Sequence, residues 1–399
     1  MTAAMRTRGT KTWPRFALAL VALLTGACTD LLGTTDITPA TEAGSDADGG
    51  RAPGSGSGSG ARQNAAHGSG GDANSTSQAV SSSGSASSCG SSSSSGSGSG
   101  LVASTCGAVA RCGADGGPGC CASPEVTGGT YDRLSSKVGW NNPATVSGFR
   151  LDEYLVTVGR FRLFTAAWNA GYRPAVGSGR HTHLNADAGL VAVGDAGTAH
   201  ESGWIAAYAG QLSPTDEDLA CDPAFATWTA QPGAHESLPI NCVNWYEAYA
   251  FCIWDGGFLP SEAEWEYTAV GGSEQRTYPW GSTPPGTESQ YAICGCYYGG
   301  SGSCSGVTSI APVGTPDAGT GLWGQRDLAG ELSEWNLDGY FASYVEPCDD
   351  CAYLGATTER VIRGGGFDSS GALLVSATRD ASDPAARVKD VGVRCARVP

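Results

Sequence analysis

Two short motifs in this 399-residue chain hold side chains that can do metal or redox chemistry, and both are histidine or cysteine pairs. The first is H-T-H at His181 and His183. An H-x-H pair can ligate a metal from one face of a strand. No third ligand stands at a recognisable spacing, so solvated loop histidines are the expectation, and the same holds for His200 and His235. The second is P-C-D-D-C at Cys348 and Cys351. A C-x-x-C is a redox pair when it opens a helix beside a strand and a thiolate is favoured. Here two aspartates lie between the sulfurs and no helical pattern follows, so a structural clip is expected. The remaining cysteines include Cys294, Cys296 and Cys304 in a glycine-rich stretch, and Cys106, Cys112, Cys120 and Cys121 in a cluster with no histidine nearby. That cluster reads as a staple for the start of a domain.

Fifteen cysteines are too many for a reducing cytosol unless they hold metal, so an oxidising compartment is implied. A net charge of −16 repels phosphate backbones and anionic headgroups, which argues against nucleic acid as a partner. The N-terminus agrees with export. Arg6, Arg8, Lys11 and Arg15 precede a short apolar run at residues 16–24, and L-T-G-A-C at residues 24–28 is similar to a bacterial lipobox with Thr25 in place of the usual leucine. The expectation is a lipoprotein signal peptide over residues 1–27 and lipidation of Cys28. Residues 28–105 are Gly, Ser, Ala and Asp with almost no aromatic side chain, so they cannot offset the entropy of ordering. They are expected to form a disordered tether, Cys89 included, with a reach of ~50 Å for about 75 flexible residues. The folded domain is then residues 106–399, and the membrane is met only through the lipid, on the bacterial cell envelope.

Within that domain the organising stretch is residues 241–272. Asn244 with Glu247, and Ser261 with Glu264, form two capping boxes, and the double glycines at 256–257 and 271–272 supply left-handed exits. Trp245, Ala248, Tyr249 and Cys252, then Ala263, Tyr267 and Val270, recur at helical spacing, so each helix is expected to hide one face against a sheet. Upstream, Phe149, Leu151, Tyr154 and Val156 read as a strand, and Thr157 as the cap of a helix ending at Gly171. Residues 360–367 read as a strand entering a glycine turn, and V-G-V-R-C-A-R-V as a last strand.

The string W-Y-E-A-x-A-F-C-x-W-x-G-G-x-L-P-S-E-A-E-W-E-Y, followed by Y-P-W-G at residues 278–281, resembles the formylglycine-generating enzyme (sulfatase-modifying factor) family. D-L-A-G-E-L-S-E-W at 327–335, R-G-G-G-F at 363–367 and V-G-V-R-C-A at 391–396 follow in that family's order. The resemblance covers roughly residues 120–398 and implies an α+β, loop-rich, C-type-lectin-like fold. It implies a disulfide between Cys252 and Cys395, and calcium held by the side chains of Asp327 and Glu334 with the carbonyls of Gly330 and Leu332. Catalytic members of the family oxidise a substrate cysteine to formylglycine with copper(I) held by two thiolates just after the glycine turn. Soft copper(I) needs soft sulfur. Here Ser369 and Leu374 fall at those positions, and no cysteine occurs between Cys351 and Cys395. No catalytic residue and no copper are therefore expected. The reading is a pseudoenzyme-like binding module for a peptide or glycan, with a candidate cleft around Arg363, Phe367, Ser369 and Arg379. The alternative is a family oxidase, of formylglycine-generating or non-haem-iron type, using a non-standard metal centre.

Overall fold

The computed structural model describes residues 119–133, 142–194 and 199–399. Cys28, the leader, the tether with Cys89, and Cys106 and Cys112 lie outside the described residues. Cys120 and Cys121 are each disulfide-bonded.

The described part is a set of short strands held by loops around three helices. In chain order the strands are β1 (Glu125–Val126), β2 (Gly129–Asp132), β3 (Pro143–Val146), β4 (Phe149–Leu151), β5 (Val191–Val193), β6 (Ser333–Gly339), β7 (Cys348–Asp349), β8 (Cys351–Tyr353), β9 (Arg360–Arg363), β10 (Arg379–Ser382), β11 (Val391–Gly392) and β12 (Ala396–Arg397). The helices are α1 (Val158–Asn169), α2 (Trp245–Trp254) and α3 (Glu262–Ala269). The central sheet runs β10-β9-β6-β11, with β6 antiparallel to β9 and parallel to β11, and every residue of β6 is buried. A second sheet, β1-β4-β12, ties the start of the domain to its last residues.

The caps form as the sequence dictates. Thr157 accepts from Arg160 N, and both capping boxes on α2 and α3 close in each direction. Gly256 and Gly271 take φ of +81° and +67°, the left-handed region that a Cβ disfavours. Phe161 and Phe164 of α1 meet Phe251 of α2 at ring separations of 5.6 and 5.8 Å. Trp245 donates to Asn336 O in β6 at 2.8 Å, while Trp335 in β6 donates back to Val243 O at 3.0 Å.

Three expectations need correction. The strand read through Val156 stops at Leu151, because Asp152 turns inward to meet Arg160 at 3.0 Å. The last strand is split into β11 and β12 by Arg394, which is fully buried on Glu334. The central helices do not hide one face: all eight residues of α3 are buried, since its three glutamates are each met by a cation, His181 and Arg363 buried and Arg379 partly so.

Candidate functional site

The glycine turn after β9 opens a cleft of about 460 Å³ against β10 and β11. Gly364 and Gly365 adopt φ of +99° and +73°, and a Cβ at Gly364 would lie 2.9 Å from Leu328 O, so the close approach of these two chain segments requires glycine. Ser369 Oγ accepts from Gly366 N at 3.0 Å and so fastens the turn.

Of the four residues expected in the cleft, Arg363, Ser369 and Arg379 line it and Phe367 does not. Phe367 is fully buried and stacks on Phe225 at 5.5 Å, behind the turn. Arg363 is 1% exposed and lies 3.1 Å from Glu266. Burial opposes its charge, but Glu266 and neighbouring groups hold its pKa above the ordinary arginine value. Arg379 makes a two-pronged bond to Glu262 at 2.6 and 2.8 Å, and its guanidinium lies 4.3 Å from the ring centre of Tyr344. Both arginines thus have their charge answered from behind the cleft by α3. The wall groups not so engaged are Ser333, Thr378, Asp380, Ser382 and Asp390, a hydroxyl and carboxylate set.

Neither copper position offers sulfur. Ser369 spends its hydroxyl on the turn, and Leu374 is 1% exposed in an apolar cluster with Tyr278, Ala292, Cys294 and Ala329. Among the described residues Cys294 is the free cysteine; it is buried, and burial raises its thiol pKa. These two positions therefore supply no soft donor pair of the kind copper(I) prefers.

The expected calcium residues are divided. Asp327 Oδ2 accepts from Gly314 N at 2.6 Å, while Oδ1 is buried without a hydrogen-bond partner. Burial pushes the Asp327 carboxyl up to about 6. That oxygen fits a hard cation. Glu334 does not offer the same freedom, because Arg394 bonds both its oxygens at 2.7 and 2.8 Å and Trp265 Nε1 adds a third bond. Glu331, in the same turn, keeps Oε2 buried and unpartnered and is raised well above the carboxylate range by burial and by Asp327. Gly330 takes φ of +82°, with Asp327 and Glu331 also left-handed at +58° and +66°. Among the described residues no group of three or more His, Cys, Asp or Glu is placed to hold a metal.

The cysteine pairs are clear. Cys252 bonds Cys395 with S–S 2.03 Å, joining α2 to the segment between β11 and β12. Cys348 bonds Cys351 across the β7–β8 turn, and Cys221–Cys242 and Cys296–Cys304 close two further loops.

The H-T-H segment overturns the expectation of solvated loop histidines at its first member. His181 is fully buried, with Nδ1 2.9 Å from Glu201 and Nε2 3.0 Å from Glu264. Burial lowers its pKa, but the two carboxylates outweigh that and raise it to about 10, so it is an imidazolium at neutral pH. Its partners lie 20 and 83 residues away, and the local signal for Glu264 was that of a helix cap. His183 packs its ring on Phe258 at 5.8 Å.

A family model for the sulfatase-modifying factor enzyme 1-like domain matches residues 125–399. The formylglycine-generating enzyme of Streptomyces coelicolor is 32% identical over 267 residues, covering 62% of this chain and 77% of that one. The inactive Cα-formylglycine-generating enzyme 2 of Bos taurus is 30% identical over 190 residues, covering 45% and 58%. Among solved structures, PvdO from Pseudomonas aeruginosa superposes with a TM-score of 0.46 at 21% identity, over 69% of this chain and 93% of that one. With its model match running from β1 to the last residue, the chain belongs to the sulfatase-modifying factor enzyme 1-like family of the formylglycine-generating enzymes.

Proposed function

We propose that this protein is an exported, lipid-anchored binding module of the bacterial cell envelope, whose domain recognises a peptide or glycan in the glycine-turn cleft and does not oxidise cysteine. The observation that carries this reading is the state of the two copper positions: one is a hydroxyl spent on the turn and the other an aliphatic side chain packed into the core. The polar groups of the cleft wall are hydroxyls and two aspartates, set beside Ile362, Leu373, Val388 and Val391, and they can hydrogen-bond sugar hydroxyls or the cations of a basic peptide. The relative named as inactive lends support, since the scaffold is shared with a protein described as lacking the activity. Calcium at Asp327 belongs to the same reading as a structural ion in the turn behind the cleft.

The test is direct. The purified protein is incubated with a sulfatase-type peptide containing cysteine, with copper, a reductant and oxygen, and the peptide mass is followed. No change is expected. Conversion to the aldehyde, abolished by Cys294→Ser or by Cys348→Ser, would replace this reading with that of an oxidase on a relocated centre. On the binding side, a glycan and peptide array should give a ligand whose retention falls at least tenfold in Asp380→Ala, a change of about 1.4 kcal/mol.

A further inference from the structure

Away from the glycine turn, a second cavity of about 80 Å³ lies between the loop after β5, helix α2 and the strands β6 and β9. Tyr208, Trp245 and Tyr249 give it aromatic walls, and two opposite charges, Glu201 and Arg360, share its lining. Tyr208 meets Trp245 edge to face at 5.4 Å, and Trp245 meets Tyr249 at 5.3 Å, so the rings form a rigid corner.

Each charge is incompletely used. Glu201 is 4% exposed, and its Oε1 takes three contacts, from His181 N at 2.6 Å, His181 Nδ1 at 2.9 Å and Leu190 N at 3.0 Å. Its Oε2 is buried without a hydrogen-bond partner. The imidazolium of His181 is shared with Glu264, so one positive charge faces two carboxylates. A buried carboxylate oxygen with no donor costs stability unless something fills the place. Arg360 stands on the other side of the ledger. Its guanidinium carbon lies over Trp245, 4.0 Å from the ring centre, and Nη1 donates to Leu337 O at 2.8 Å. Among the described residues no carboxylate lies within ion-pair distance of it, so a charge and several donors remain to be used.

We propose that this cavity binds a small free amino acid as its zwitterion, the ammonium on Glu201, the carboxylate on Arg360 and a short side chain on the tyrosine rings. Size supports the assignment. At about 80 Å³ the cavity is well above the space a single water needs yet small, which suits a molecule of a few non-hydrogen atoms such as alanine. A simple anion would leave Glu201 unanswered and a simple cation would leave Arg360 unanswered. A quaternary ammonium needs an open aromatic face, and Arg360 covers that of Trp245.

The mature protein is titrated calorimetrically with glycine, L-alanine, L-leucine, methylammonium and acetate. Glycine and alanine should bind at about millimolar affinity or tighter, and methylammonium and acetate at least tenfold more weakly, with leucine excluded by size. Arg360→Gln should weaken alanine at least tenfold. Leu354→Trp, which fills the cavity from its wall, should abolish binding and provides the reading if Arg360→Gln does not fold. Absence of heat with both glycine and alanine overturns the proposal. So does methylammonium binding as tightly as alanine, or alanine binding untouched by a folded variant.

Discussion

Replacing His181 by glutamine removes the cation that lies between Glu201 and Glu264. Its pKa in the fold is about 10 against an ordinary value of 6.5. At about 1.4 kcal/mol per pKa unit, that gap corresponds to an upper limit of ~5 kcal/mol, and breaking a buried pair by removing one partner generally costs about 3–5 kcal/mol. The pH dependence has a definite sign. A group whose folded pKa is raised contributes in full below its unfolded value and loses that contribution as pH rises through its folded value. The wild type should therefore lose stability on going from pH 7 to pH 9, by about 1.4 kcal/mol per unit or ~2.7 kcal/mol in total from this site. In His181→Gln that component is absent. Below neutrality the orphaned carboxylates of the variant take up protons, so the comparison is read above about pH 7. Urea unfolding followed by tryptophan fluorescence gives the free energies, with the slope m checked for constancy. Parallel stability curves for the two proteins from pH 7 to 9 would refute the assignment of a buried imidazolium.

Other consequences are checked in the same way. Cys252 and Cys395 close a loop with a sequence separation of 143, for which the chain-entropy relation gives about 5 kcal/mol, so the paired change Cys252→Ala with Cys395→Ala should lower unfolding free energy by several kcal/mol. A loss under about 1 kcal/mol, or peptide mapping that joins either sulfur elsewhere, contradicts it. Calcium added to chelator-treated protein should raise Tm, and Asp327→Asn should remove the rise; an unchanged Tm in the wild type ends the calcium reading. Glu331→Gln should raise Tm in chelator, because a buried carboxyl whose folded pKa is raised is destabilising above that pKa. The gain should shrink as pH falls and the wild-type acid protonates. Metabolic acyl labelling in a bacterial host should mark Cys28 and be blocked by globomycin, and a mature N-terminus free of lipid removes the anchor from the proposed function.

Local signals were enough for the helices. Asn244, Glu247, Ser261 and Glu264 announce both boxes because a cap is an interaction over three residues, and the glycines after each helix mark a backbone state that few other residues adopt. The disulfide of Cys252 was legible only through the family motifs, since fifteen cysteines allow far too many pairings for spacing to decide. What the chain hid were the long-range electrostatic contacts. Asp152, His181 and Arg394 look like ordinary polar residues of loops and strands, and each is fully buried because its partner arrives from elsewhere in the fold. Those contacts then break the expected strands, because a buried ion pair fixes the backbone direction at its own position. The cleft was half legible: the glycine turn placed Arg363 and Ser369 in it, but three glycines before Phe367 carry no pattern that could reveal that the ring packs behind the turn.

Helix α3 explains why those contacts matter to the site. Glu262 and Glu266 stand one turn apart on one face of the helix, where Arg363 reaches both, while Glu264 between them points to another side. The cations come from three segments: Arg379 meets Glu262, His181 meets Glu264, and Arg363 meets Glu266 at 3.1 Å and Glu262 at 3.7 Å, with Tyr344 donating a further bond to Glu266 at 2.9 Å. A helix this acidic is buried only when all three segments have arrived, since a missing cation would leave an uncompensated charge inside the protein. The same arrangement divides the labour of the two cavities. Toward the glycine turn, α3 consumes the positive charge of Arg363 and Arg379, leaving the cleft to hydroxyls and aspartates. Toward the aromatic corner, Glu264 takes a share of the His181 imidazolium, leaving Glu201 with an oxygen unanswered. In the proposed reading one two-turn helix therefore sets the ligand chemistry of both cavities without touching either ligand, and Glu264→Gln, which returns the full His181 charge to Glu201, should weaken amino-acid binding while leaving the glycine-turn cleft unchanged.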